Sequence, residues 1–194
     1  WVAFGGEGVI RQNNREEQRK IIRYNHLVAN LVVFHNVVSM TRVLQNLIDA
    51  GYPVTLYTRA KSKAQPLLDR GAVWADSPGA VCALSDATLT MVGFPADVRD
   101  VYFGPHGLIA CAKPGSILID MTSTDPSLSR EIADAASARG LHALDAPVSG
   151  GDLGARKAVL SIMIGGEAAA VGRARPLFER LGKTIVHQGG AGAG

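Results

Sequence analysis

The chain has 194 residues, of which 47% are hydrophobic and 19% charged, so it can bury a core and is not disordered by composition. Its 20 Lys and Arg residues exceed its 17 Asp and Glu residues by only three, and this scattered excess does not predict a nucleic-acid-binding surface. Two cysteines, Cys82 and Cys111, exclude a disulfide scaffold and indicate a reducing compartment. We therefore expect a cytoplasmic protein, with no metal site.

Neither a membrane span nor a secretory signal is predicted. The longest apolar stretch, residues 27–38, is interrupted by polar side chains and is shorter than the ~20 residues that cross a bilayer. No basic segment precedes an apolar one at the start of the chain. Because position 1 is not Met and the chain stops in Ala191–Gly194, we expect a sequence that is cut at both ends.

The first 50 residues contain one clear helical pattern. Residues 11–23 are mostly polar and predict a solvated helix or loop, whereas residues 31–34 predict a strand. Residues 40–50 predict an amphipathic helix, with apolar side chains on one face and Gly51 as its stop.

From residue 51 onward, predicted strands and helices alternate. The predicted strands are residues 53–58, 87–92, 116–121, 140–145, 158–164 and 184–187, and the predicted helices are residues 62–70, 125–139 and 167–181. Ser62 and Asp125 are placed to cap two of these helices. Strands that are apolar on both sides belong to parallel sheets covered by helices, so the fold class is α/β with a mostly parallel sheet.

Three segments beyond predicted strands combine glycine with small polar residues: 91–95, 121–126 and 145–151. Ligands of open α/β sheets bind beyond the carboxyl ends of the strands, where these segments fall. The run Asp145-Ala-Pro-Val-Ser-Gly-Gly151 closely resembles the β-hydroxyacid dehydrogenase family (3-hydroxyisobutyrate dehydrogenase and its relatives). Further motifs of that family stand at residues 50–59, 71–78, 119–128 and 160–166.

The resemblance covers residues 40–194 and implies a domain organisation. It implies a Rossmann-like, doubly wound sheet with helices on both faces, in a dinucleotide-binding domain over residues 31–194. Residues 1–30 are then an atypical N-terminal extension or insertion, and the family's helical C-terminal domain is absent.

The same resemblance implies a substrate site. Ser149, Gly150 and Gly151 match the family's substrate-binding segment, where a hydroxyl and close backbone N–H groups hold a carboxylate. Thr122 and Ser123 match a position near the nicotinamide and the substrate. The alternatives are an ordinary Gly-Gly turn between strands, and an N-cap for the helix that follows Asp125.

Cofactor-binding residues are also implied. Val92 and Gly93 match the family's cofactor contact after a strand, and Asp97 is a weaker candidate. Thr58 and Arg59 end the second strand, where an acidic residue would bind a ribose 2′-hydroxyl and an Arg accommodates a 2′-phosphate. With no acid there, the sequence favours NADP, with NAD as the alternative cofactor and a solvated basic loop as the alternative interpretation of Arg59.

The phosphate-binding loop departs from the family pattern, which needs three glycines between the first strand and the first helix. Gly6 and Gly8 provide two of them, but Arg11 stands at the third position. Counting back from the first helix instead gives His35, Val37 and Met40, so that window has no glycine.

Three explanations of the phosphate-binding loop stay open. They are an insertion of 29 residues in the first turn, an N-terminal extension followed by a degraded loop, and a corrupted reading frame upstream of residue 40. Under the last two explanations, β-branched Val37 would have to adopt a glycine conformation, which is strained.

The leading hypothesis is an oxidoreductase module that transfers hydride between NADP(H) and a small 3-hydroxy acid or its semialdehyde. The family's catalytic lysine lies beyond Gly194, so no catalytic residue is assigned and the chain is expected to be incomplete and inactive. The alternative is a catalytically silent dinucleotide-binding or interaction module with a degraded phosphate loop. The expected partner is a small hydroxy acid rather than nucleic acid or a membrane, and a homo-oligomer is compatible with the sequence.

Overall fold

The computed structural model of the chain describes residues 33–34 and 38–194, which form a nine-stranded sheet. The strands are β1 (Val33–Phe34), β2 (Thr55–Thr58), β3 (Val73–Trp74), β4 (Ala87–Met91), β5 (Ile117–Asp120), β6 (His142–Asp145), β7 (Val148–Ser149), β8 (Leu160–Gly166) and β9 (Gly182–Gly189). Their order is β3-β2-β1-β4-β5-β6-β8-β7, and β9 pairs with β8.

The sheet is mostly parallel. The pairs from β3 through β6 are all parallel, β8 runs antiparallel to β6 and β7, and β9 runs parallel to β8. The central strands are apolar on both sides because both of their faces are buried. The predicted α/β class with a mostly parallel sheet is confirmed.

Helices cover both faces of this sheet. They are α1 (Val38–Asp49), α2 (Gln65–Leu68), α3 (Pro78–Ala83), α4 (Pro95–Phe103), α5 (Leu108–Cys111), α6 (Pro126–Ser137), α7 (Gly151–Arg156) and α8 (Ala168–Phe178). Along β5, Ile117 and Ile119 join one hydrophobic core and Leu118 joins the other. The first core is shared with α1 and α8, and the second with α4 and α6, so the sheet is doubly wound as predicted.

Helix α1 forms where the sequence predicts an amphipathic helix. Met40, Val43, Leu44 and Leu47 are fully buried on one face, as their spacing requires. The helix ends at Asp49, and Gly51 turns the chain away with a φ of +83°, a left-handed conformation that glycine adopts without strain. The N–H of Tyr52 then donates to the carbonyl of Leu47 at 3.0 Å, which closes the last turn.

The predicted helix over residues 62–70 is wrong in detail. The structure has a 3-10 turn at Lys61–Ala64, followed by the short helix α2. Ser62 is not the cap, because the N-cap is Ala60 and makes no side-chain bond. Pro66 explains the division, since it has no N–H to continue a helix that began at residue 62.

Helix α6 begins as predicted, with the Asp125 carboxylate accepting from the N–H of Ser127 at 2.7 Å. Helices α3, α4 and α5 were not predicted, because each has nine residues or fewer and shows less than three turns of apolar periodicity. The predictions for residues 1–30, including Gly6, Gly8 and the polar segment 11–23, fall outside the described residues. The proposed domain boundary therefore stays a prediction.

Candidate functional site

A cavity of about 320 Å³ opens at the carboxyl ends of β4 and β5, beside the turn that joins β7 to α7. This is the edge where open α/β sheets bind ligands. Its walls are formed by Val43, Met91, Val92, Gly93, Met121, Thr122, Ser123, Val148, Gly151 and Leu160. The cavity therefore combines an apolar base with three small residues at its rim, Gly93, Ser123 and Gly151, that leave backbone groups accessible.

Five of the predicted site residues come together in this cavity. Val92 and Gly93 follow β4, Thr122 and Ser123 follow β5, and Gly151 begins α7. The residues after β4 and those after β5 are far apart in sequence. They lie close together because β4 and β5 pair in parallel, which brings both strand ends to one edge of the sheet. The cofactor and substrate roles of these residues stay predictions.

Ser149 and Gly150 lie next to the cavity without lining it. Both are exposed, and Ser149 pairs with Ser161 in the antiparallel β7–β8 ladder. Gly150 and Gly151 have φ values of +129° and +57°, so the turn into α7 uses two successive left-handed residues. A side chain at either position would strain this turn, which is one reason for a Gly-Gly pair that needs no ligand.

A chain of hydrogen bonds fixes the two strand ends relative to each other. The Asp120 Oδ1 atom accepts from the N–H of Thr122 at 3.0 Å and from the hydroxyl of Thr90 at 3.1 Å. The Thr122 Oγ1 atom in turn accepts from the N–H of Val92 at 3.0 Å. Asp120, Thr90 and Thr122 are all buried, so these bonds are shielded from water and hold the cavity wall in one geometry.

Asp120 is an unusual carboxyl group because it is only 3% exposed. Burial raises its pKa to about 6, against the opposing effect of hydrogen bonds from Thr122 and Thr90. Its Oδ2 atom is buried and has no hydrogen-bond partner among the described residues. A carboxyl group with a raised pKa therefore lies directly behind the cavity wall, through its hydrogen bond to Thr122.

Thr58 and Arg59 lie at the end of β2, away from the cavity. Thr58 is buried, whereas Arg59 extends outward and its Nη2 atom contacts the Asp97 carboxylate at 2.8 Å. Asp97 lies in the first turn of α4, which follows β4. Because β1 stands between β2 and β4 in the sheet, this ion pair crosses the carboxyl end of β1.

The phosphate end of a dinucleotide site would lie in the turn between β1 and α1. Residues 35–37 of this turn, including His35 and Val37, lie outside the described residues. Met40, at the position of the third glycine, is fully buried and belongs to the main core. Its side chain occupies the interface where a glycine would let helix and strand approach closely, so this end of the site does not fit the family pattern.

Asp145 organises the last residues of the chain. Its two carboxylate oxygens accept from the N–H groups of Gly192 and Gly194 at 2.8 and 2.7 Å. Asp145 pairs in register with Asp120 on the neighbouring strand and is also buried. Residues 192–194 are thereby fastened to the carboxyl end of β6.

The histidines in the strands have structural partners. The His142 Nδ1 atom lies 3.2 Å from Glu167, and the His187 Nε2 atom lies within 2.9 Å of two backbone carbonyls. Among the described residues, no group of three or more His, Cys, Asp or Glu side chains is arranged to hold a metal ion. No helix in this part of the chain is long and apolar enough to cross a membrane.

Some residues of the cavity were not predicted as site residues: Val43, Met91, Met121, Val148 and Leu160. Val43 lies in the helix predicted over residues 40–50, and Met91 lies in the strand predicted over residues 87–92. Val148 and Leu160 lie inside the segments 145–151 and 160–166 that resemble the family, so the resemblance already pointed to these stretches of chain. Nothing in the local sequence marks an apolar residue as cavity wall rather than core.

The fold and the position of this cavity define a dinucleotide-binding domain of the Rossmann-like class. A family model described as the NAD binding domain of 6-phosphogluconate dehydrogenase matches residues 40–190. The chain belongs to this family. A second model, for the Tn3 transposase DDE domain, matches residues 1–61.

Curated relatives include several dehydrogenases. An uncharacterized oxidoreductase of Bacillus subtilis is 48% identical over 149 residues, which are 77% of this chain and 52% of the relative. A probable 3-hydroxyisobutyrate dehydrogenase-like protein of Arabidopsis thaliana is 50% identical over 139 residues, or 71% of this chain and 42% of the relative. The chain thus spans about half the length of these relatives.

Solved structures show the same domain. The 3-hydroxyisobutyrate dehydrogenase of Mycobacterium tuberculosis with L-serine superimposes with a TM-score of 0.80 at 31% identity. The superposition covers 87% of this chain and 57% of that chain. The predicted family and Rossmann-like fold are therefore confirmed.

Proposed function

We propose that this chain is the cofactor-binding half of a β-hydroxyacid dehydrogenase, which transfers hydride between NADP(H) and the β-carbon of a small 3-hydroxy acid or its semialdehyde. The observation that carries the proposal is the convergence of Val92, Gly93, Thr122, Ser123 and Gly151 on one cavity at the carboxyl edge of the sheet. The relatives support it, since they include proteins named for 3-hydroxyisobutyrate and one named as an NAD-dependent L-serine dehydrogenase.

In this proposal the cavity takes the nicotinamide and the reacting end of the substrate. Gly93 leaves the strand end uncovered, so that a flat ring can approach the backbone closely. Thr122 and Ser123 supply hydroxyl groups, and the segment Ser149–Gly151 supplies a hydroxyl and backbone N–H groups for the substrate carboxylate. The family resemblance supports this division of roles.

We also propose that NADP is preferred over NAD, with Arg59 as the group that binds the 2′-phosphate. Arg59 is 57% exposed by side chain and lies at the end of β2, where that phosphate is expected. A solved neighbour bound to NADP⁺, 28% identical to this chain with a TM-score of 0.79, supports an NADP site in this fold.

The second candidate function is a catalytically silent dinucleotide-binding or interaction module. The buried Met40 favours it, because the residue replaces the glycine expected at the phosphate end. Binding of the reduced cofactor to the folded chain separates the proposed function from a silent interaction module. A silent dinucleotide-binding module would bind the cofactor as well and would differ only in hydride transfer.

Fluorescence titration with NADPH and NADH tests the proposal. We expect weak but saturable NADPH binding and weaker NADH binding. No binding of either nucleotide at millimolar concentration would refute the cofactor assignment and leave only the silent interaction module.

A matched pair of glycine variants tests the substrate assignment. In the presence of NADPH, Gly151→Ala should weaken binding of 3-hydroxyisobutyrate measured by calorimetry or ligand-observed NMR. Gly140→Ala is the control, since both glycines have positive φ and open space around an added Cβ, but Gly140 lies at the other edge of the sheet. Equal loss in both variants would mean that backbone strain alone explains the effect.

A further inference from the structure

Two family models overlap on residues 40–61 of this chain. The NAD-binding model begins at residue 40, and the transposase model ends at residue 61. The overlap contains most of α1 and all of β2. Residues 1–39 match only the transposase model of these two.

Helix α1 nevertheless packs as a full member of the sheet's covering layer. Its apolar face is completely buried in the main core, and the Asn46 Nδ2 atom donates to the carbonyl of Ala155 in α7 at 2.7 Å. Packing of this kind requires only an amphipathic helix of suitable length that is followed by a glycine such as Gly51. A helix from an unrelated protein can satisfy that requirement.

Pyrophosphate binding asks for more than a buried helix face. It requires glycines at defined positions, because backbone N–H groups must approach the phosphate oxygens closely. The sequence places His35, Val37 and Met40 at those positions. The buried side chain of Met40 packs between α1 and the sheet. The helix therefore contacts the sheet through a side chain, whereas the family pattern has a glycine at this position.

We infer that the chain joins two kinds of sequence within residues 40–61, and that the transposase-like part completes the core of the dehydrogenase domain without supplying a pyrophosphate-binding turn. The inference rests on the proposed function, because it concerns the same cofactor. Of the three explanations left open by the sequence, it favours an N-terminal extension followed by a degraded loop, and it assigns that extension to the transposase-like sequence. Dinucleotide affinity then comes from the cavity and from Arg59, and not from the first turn.

Paired substitutions test this inference by binding rather than by activity. The first pair consists of two double variants, in which His35 and Val37 are both changed to Gly or both to Ala, while Met40 is kept so that the core is not disturbed. The second pair consists of the corresponding triple variants, in which Met40 is changed as well, to Gly or to Ala. Each pair removes the same side chains, and only the Gly version adds backbone freedom. Circular dichroism checks that every variant is folded before titration with NADPH.

We expect the Gly versions to bind NADPH about tenfold or more tightly than both the unchanged chain and the matching Ala versions, because regained N–H contacts to phosphate are charge-assisted. Equal affinity of the chain, the Gly versions and the Ala versions would overturn the inference and leave the proposed function standing. Absence of binding in all of them would overturn the proposed function, and the inference with it.

Discussion

The guanidinium of Arg59 and the carboxylate of Asp97 form an ion pair of 2.8 Å across the carboxyl end of β1. The family resemblance implies cofactor contacts for both residues, yet in the structure they bind each other. A 2′-phosphate that binds Arg59 must therefore compete with the Asp97 carboxylate. The preference for NADP over NAD therefore depends on Asp97, in the first turn of α4, as well as on Arg59.

Substitution of Asp97 should strengthen NADPH binding. Asp97→Asn frees the guanidinium, and because exposed ion pairs contribute up to about 1 kcal/mol, we expect a two- to fivefold gain for NADPH and none for NADH. Fluorescence titration with both nucleotides measures the ratio. Glu131→Gln is the control, since it releases Arg99 of α4 from its ion pair with Glu131 of α6. Weaker NADPH binding by Asp97→Asn would show instead that Asp97 contacts the cofactor.

Asp120 should make the stability of the domain depend on pH. Burial raises its pKa from 3.8 to about 6, so the native state holds this proton more tightly than the unfolded chain does. The contribution of this group to the free energy of unfolding is therefore greatest below pH 4 and is lost as pH rises through 6, by at most about 3 kcal/mol.

Asp120→Asn isolates that contribution. Its amide oxygen keeps an acceptor for Thr122 and Thr90 but does not ionise, so the variant should gain stability relative to the unchanged chain between pH 5 and pH 8. Urea unfolding at the two pH values measures the difference. The exposed Asp134→Asn on α6 is the control and should show no such change. A constant difference for Asp120→Asn would contradict the predicted ionisation.

Asp145 should protect the final segment from hydrogen exchange. Its carboxylate accepts from the N–H groups of Gly192 and Gly194, and a charge-assisted bond contributes about 1.5–3 kcal/mol. Asp145→Asn replaces one accepting oxygen with an amide N–H₂, so exchange in residues 190–194 should accelerate about 10- to 100-fold. Mass spectrometry of peptides from this segment measures the rate, and peptides from α6 report whether the core has also opened. Unchanged exchange would mean that other contacts hold the segment.

The two cysteines should differ in reactivity. Burial raises the pKa of Cys82 to about 12, so it carries little thiolate at pH 8. Cys111 is partly exposed. Iodoacetamide at pH 8 should therefore modify Cys111 first and Cys82 only on unfolding, as intact-mass measurement would show. A Cys111→Ser variant labelled rapidly in its native state would contradict this order.

Long helices and strands were predictable because burial of one or both faces requires apolar residues at regular positions in the sequence. The face of α1, the Asp125 cap of α6 and the apolar run of β5 are local patterns that each extend over enough residues to be recognised. The 62–70 segment was less predictable, because one proline divides it into two short turns. The helices α3 to α5 are too short to show a period.

The sequence by itself determined the α/β class, the family and the segments that meet at the cavity, because glycine-rich and small polar motifs are local signals. Only the tertiary structure decided which of those residues share one cavity and which, like Arg59 and Asp97, bind each other across 38 positions of chain. It also decided that Met40 is core, since burial depends on what packs against a side chain. Contacts of this kind follow from strand order and helix docking, which no short stretch of sequence encodes.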